Sequence, residues 1–116
     1  MIVSKNISDN NYLLLGVNIL NKNVVSQYYG SLMTLTCNNT TPSANNIWLF
    51  SSTGIYNLFI IDNTTPSKYL INSLNMLTII SLDFDDNGYY ACGNASEDGS
   101  TFSSFSLYNL FVKRNL

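Results

Sequence analysis

Residues 82–92 read Leu-Asp-Phe-Asp-Asp-Asn-Gly-Tyr-Tyr-Ala-Cys, and no other stretch of the chain restricts its fold as much. An acidic turn closing on Asn87-Gly88 runs into a strand-forming sequence. Alternation along that strand puts Tyr90 and Cys92 on one face and Tyr89 and Ala91 on the other. Cys92 is one of two cysteines, the other being Cys37, and Trp48, the single tryptophan, lies a loop and half a strand beyond Cys37.

The rest of the chain reads as short strands parted by turn residues. Residues 13–19 supply a first strand and 23–26 a short second half of it, with Gly30-Ser31 as a turn. Residues 32–37 alternate, so that Met33, Leu35 and Cys37 share a face. Residues 38–46 are a loop by composition. Over 46–51, Trp48 and Phe50 point inward and Ile47 and Leu49 outward. Residues 56–61 are rich in aromatic and β-branched side chains, and 68–72, 75–81, 88–94 and 102–112 follow as further strands. About eight strands with turn signals every 8–12 residues, and no helical period, make an all-β antiparallel sandwich. Residues 1–11 are expected to be a loose leader to a single domain spanning 12–116.

Composition excludes several functions. Only 10% of the residues are charged, against about 25% in an average domain, so much of the surface is uncharged Asn, Ser and Thr. The net charge is -2, and Lys5, Lys22, Lys68, Lys113 and Arg114 form no cationic stripe, which argues against nucleic acid. The apolar run 12–20 contains Asn18 and is too short to cross a bilayer, so no membrane insertion is expected. Residues 1–9 are polar and lack a signal-peptide core, as in a mature or excised segment. Histidine is absent, which removes the usual general base and the commonest metal ligand. Asp83, Asp85 and Asp86 could be read as a calcium site, but the turn accounts for Asp86 and solvent for the other two. No cofactor and no enzymatic activity are expected. Asn6, Asn38, Asn39, Asn63 and Asn94 fit the glycosylation acceptor pattern, although chance at this composition yields roughly four such matches.

Leu82, Asp86, Gly88, Tyr90 and Cys92, with Cys37 and Trp48 upstream, resemble the immunoglobulin superfamily and specifically its variable-type branch, over about residues 23–112. The resemblance implies an immunoglobulin-like antiparallel β-sandwich with one inter-sheet disulfide, Cys37 to Cys92, on which Trp48 packs. Such a bond closes a loop of about 54 residues and contributes roughly 4 kcal/mol. It also implies an oxidising compartment; the alternative is two free thiols in a cytosolic domain. Tyr90 matches the tyrosine corner, Gly88 a turn position with positive φ, and Leu82 a plug at the bottom of the core. Asp86 is expected to pair with Lys68, contributing no more than about 1 kcal/mol if exposed. The short interval between the cysteines and the missing Gly-x-Gly bulge in the last strand set the chain apart from antibody and T-cell-receptor segments.

Function is then expected on a surface. The outward side of the front sheet, with Ile47, Leu49, Tyr56, Tyr89 and Ala91, is more apolar than a solvated face needs to be, and such patches mark interfaces. Phe105 or Leu107 adds to it from the last strand. The tip loops are the second candidate, but glycans at Asn38, Asn39 or Asn94 would obstruct them. The expectation is an extracellular protein-binding module, on a cell or virion surface or secreted, acting in adhesion or receptor recognition. Its partner would be a cell-surface receptor or a second copy in a homodimer. The alternatives are a secreted viral immune modulator that captures a host ligand, and a structural spacer of a larger surface assembly.

Overall fold

Alternating sequence becomes ten strands among the described residues: β1 (Ile2–Asn6), β2 (Asn11–Leu14), β3 (Lys22–Tyr28), β4 (Met33–Leu35), β5 (Asn45–Ser51), β6 (Leu58–Ile61), β7 (Tyr69–Ile71), β8 (Leu77–Ile79), β9 (Gly88–Ala95) and β10 (Thr101–Lys113). A single 3-10 turn, Phe84–Asp86, precedes β9. The computed structural model describes residues 2–6, 11–14, 22–37, 45–52, 58–61, 68–95 and 101–114. Side chains are described for residues 23–37, 47–52, 59–61, 68–93 and 106–114. Tyr56, Asn38, Asn39 and Asn63 lie outside the described residues, as do the side chains of Asn6, Asn94 and Phe105.

The strands form two sheets, one in the order β1-β2-β6-β5-β9-β10-β3 and one in the order β4-β8-β7. Among the described residues every pairing is antiparallel except β10 with β3, which is parallel. The β-sandwich is therefore as expected, with that one parallel edge.

Two features differ from the sequence reading. Residues 2–6, expected in a loose leader, form β1, which pairs with β2 and with the start of β10. The first strand expected over 13–19 is instead the short β2, paired with β6 through Asn11 and Tyr12. The physical reason lies in β10. It is 13 residues long, or about 44 Å at an extended rise. One edge pairs with β9, while the other is shared by β1 at Thr101–Ser103 and by β3 at Leu107–Lys113. Because β1 joins β10 while β2 joins β6, the strands β1-β2-β6-β5-β9-β10 close into a ring.

The core lies between the two sheets. Trp48, Tyr90 and Leu110 from the large sheet, and Leu35, Leu77, Ile79 and Leu82 from the other side, are essentially inaccessible to water. Each contributes about 1.5–3 kcal/mol of burial. The alternation expected for β4 is present and β8 alternates likewise: Leu35, Leu77 and Ile79 are buried, whereas the Thr34 and Thr78 hydroxyls meet at 3.1 Å on the outer surface. Cys37 and Cys92 are bonded, with Cα atoms 5.8 Å apart, and so cross-link the layers. Trp48 donates its indole N–H to the carbonyl of Asn75 at 2.9 Å, and its ring stacks on Tyr108. Asn75 adopts φ +57° at the end of the β7–β8 turn, where the Asn72 side chain accepts the N–H groups of Leu74 and Met76. An Asn-based turn of this kind supplies the backbone bonds that a loop otherwise lacks.

Candidate binding face

The turn before β9 determines which way the β9 side chains point. Its hydrogen bonds are reciprocal: the Asp83 carboxylate accepts the Asp85 N–H at 2.9 Å, and the Asp86 carboxylate accepts the Asp83 N–H at 2.8 Å. Both thus supply the bonds that a short helical turn leaves unmade at its start. The Tyr90 hydroxyl donates to the Asp86 carbonyl at 2.7 Å, as expected of the corner. Gly88 has φ +148°, and a Cβ there would collide with the Ser51 carbonyl oxygen. The Asn87 side chain accepts the Val112 N–H at 2.7 Å, tying the turn to the end of β10, a contact that local sequence does not indicate. An Asn after two acidic residues reads only as a turn former.

Lys68 meets Asp86 at 2.6 Å and Asp83 at 3.4 Å. The pair is sheltered rather than exposed, since the Asp86 side chain is only 4% accessible. Asp83 is accordingly a partner of Lys68 and not merely solvated. Burial alone would pull Lys68 down; the hydrogen bond and charge of Asp86, helped by Asp83, outweigh it and hold the ammonium pKa above its ordinary 10.5. The Tyr90 hydroxyl is pushed well above its ordinary value, first by burial and then by the negative charge of Asp86. Burial likewise raises Tyr69. No group of three potential metal-ligating side chains occurs among the described residues.

These constraints orient the outward face, and the structure divides it in two. Leu49 and Ala91 do point away from the core, as expected, but both are fully buried. Leu107, their neighbour on β10, is only 6% accessible. They were read as exposed because alternation gives the side of a sheet on which a residue stands and not what covers it. Here the closed ring of strands places these residues inside it, with β1 and β2 bridging β10 to β6. Ile47 and Tyr89 are half-buried at the margin.

The half toward Lys113 is open. The parallel register pairs Val24 with Asn109, Ser26 with Phe111 and Tyr28 with Lys113, so all six stand on one face. Val24 is 62%, Phe111 50% and Tyr28 48% accessible. Lys113 lies over the Tyr28 ring at 5.1 Å, while Arg114 stands over Phe84, which itself packs on Tyr29. Of the residues expected to form the binding face, Tyr89 adjoins the open half through Asn109, whereas Ile47, paired with Gly93, lies beyond Leu49 at the other end of the face. Val24, Tyr28 and Phe111 were missed, although Val24, Ser26 and Tyr28 alternate in the sequence and so provided a usable signal.

No protein-family model matches the chain, and no curated protein matches it in sequence. Solved structures do. The chain is similar to Drosophila Semaphorin 2a at TM-score 0.63 and 21% identity, over 82% of this chain and 15% of that one. The Novel Immune-Type Receptor 10 extracellular fragment from Ictalurus punctatus aligns at TM-score 0.60 and 18% identity, over 79% and 98%. The Ig-like domain of human Leucine-rich repeat-containing protein 4 aligns at TM-score 0.62 and 16% identity, over 83% and 84%. Together with the Cys37–Cys92 bond beneath Trp48 and the Tyr90 corner, this decides the fold. The chain has an immunoglobulin-like fold. Within that fold, β4, β8 and β7 are the back sheet, and the divided face belongs to the front one. The chain spans a small part of Semaphorin 2a, and all three likenesses speak for the fold.

Proposed function

We propose that this immunoglobulin-type domain is an extracellular, noncatalytic protein-binding module that recognises its partner through the open half of the front sheet. The observation that carries the reading is the exposed stripe of Val24, Phe111 and Tyr28. Apolar side chains aligned by register in this way lose water when a second surface covers them, and the Tyr28 ring with Lys113 over it suits a recognition site. The disulfide favours an oxidising compartment. The receptor fragment from Ictalurus punctatus that the domain resembles is itself described as extracellular. The strand β6 beside β5 supports a variable-type subclass.

Among the described side chains the stripe carries one charge, Lys113, so a second copy meets little like-charge repulsion there and is the first partner to test. Sedimentation of the chain, and staining of a panel of cultured cell lines with fluorescent tetramers of it, measure self and non-self recognition. A Val24→Asp/Phe111→Asp variant is expected to lose whichever signal the wild type gives. Retention of the signal by the variant, or absence of both signals in the wild type, overturns the reading.

A further inference from the structure

The residues inside the ring carry a second, independent inference. Leu49, Ala91 and Leu107 make an apolar strip on the outward side of the front sheet, fully or nearly fully buried. Among the described elements, the two strands that complete the ring over it are β1 and β2. Their attachment to the rest of the sheet is short: Ile2–Ser4 against β10, and Asn11–Tyr12 against β6. By contrast, β5 pairs with β9 along Asn45–Ser51, and β9 with β10 along most of its length. The β1–β2 hairpin is thus held on each side by only two or three residue pairs, where it closes the ring beside an apolar strip.

We propose that the groove between β6 and β10 is a strand-docking site, and that the β1–β2 hairpin of a second copy can occupy it in place of the chain's own, giving an exchanged dimer. Two observations select that occupant. The groove is matched in register to residues 2–4 and 11–12, and another copy supplies the same residues. Release of the hairpin would also bare Leu49, Ala91 and Leu107 to water, so an open state is driven to be covered again. Exchange of an identical element recreates every lost bond between chains, which makes it a low-cost route to a dimer. The site lies on the opposite half of the sheet from Val24 and Phe111 and does not depend on their role.

The experiment mixes isotopically heavy and light full-length chain at high concentration, warms it briefly, and follows dimers by native mass spectrometry. Exchange predicts a mixed heavy–light dimer that appears after warming and persists on dilution, and that is retained by the Val24→Asp/Phe111→Asp variant. A Val3→Pro/Ser4→Pro variant should lose it. Neighbouring N–H groups on a strand point to opposite sides, so one proline faces β10 and the other β2. Hydrogen exchange on the wild type gives a second reading that does not require the proline variant to fold: amides of β1 and β2 should exchange at least ~100-fold faster than those of β5 and β9. A chain that is monomeric under all these conditions, a dimer that survives both prolines, or equal protection of hairpin and β5 amides overturns the proposal.

Discussion

The Tyr90 hydroxyl donates to the backbone carbonyl of Asp86 across four residues, at 2.7 Å, inside a fully buried corner. The bond joins the turn to the strand that carries Cys92, so it orients the whole of β9. Tyr90→Phe keeps the ring and leaves the carbonyl unpaired in the core. Chemical denaturation is expected to show a loss of about 1–2 kcal/mol with an unchanged disulfide.

Lys68 and Asp86 form the polar counterpart of that corner. Because Asp86 is buried, removing its cation leaves an incompletely compensated carboxylate. Lys68→Met is expected to cost about 2–4 kcal/mol, more than an exposed ion pair would. A double-mutant cycle with Asp86→Asn checks this, and a coupling below about 0.5 kcal/mol would place the pair with surface bridges.

Alkaline pH should weaken the fold. The pKa values of Lys68, Tyr69 and Tyr90 are all raised in the folded chain, from ordinary values of 10.5 for the lysine and 10.0 for the tyrosines. Between the unfolded and folded pKa, the folded state holds the extra proton, so stability is intact below about pH 10 and falls as pH rises beyond it. The Tyr90 contribution approaches ~1.4 kcal/mol per pH unit. Denaturation midpoints measured from pH 8 to 11.5 should be flat and then drop, and Tyr90→Phe should flatten the drop.

Gly88 combines a backbone conformation that L side chains rarely adopt with no room for a Cβ against Ser51. Gly88→Ala is expected to cost about 3 kcal/mol or more, read as a fall in Tm, whereas Gly30→Ala, where nothing crowds the position, should cost less.

The corner, the disulfide and the place of Trp48 were legible through the resemblance that residues 82–92, Cys37 and Trp48 carry, and the inward face of Leu35 through alternation with Cys37. The open and closed halves of the front face were not. Whether Leu49 is exposed depends on where residues 2–6 and 11–14 dock, and that contact is distant in sequence. The polar content of Ser4, Lys5 and Asn6 read as a loose leader, yet β1 is held by backbone pairing to β2 and to β10, which does not depend on apolar side chains. The turn-forming Asp9-Asn10 between two short strand-forming runs was the available hairpin signal.

Alternation exposes one half of this face, and ring closure buries the other. Parallel measurement of unfolding free energy and of self-association or tetramer staining, for Leu49→Asp and for Val24→Asp/Phe111→Asp, tests this division most directly. Leu49→Asp is predicted to lose more than about 3 kcal/mol of stability, as a carboxylate forced into a dry site. The double variant is predicted to stay within about 0.5 kcal/mol per site of the wild type and to lose binding. A stable Leu49→Asp chain, or full binding by the double variant, would contradict the claim.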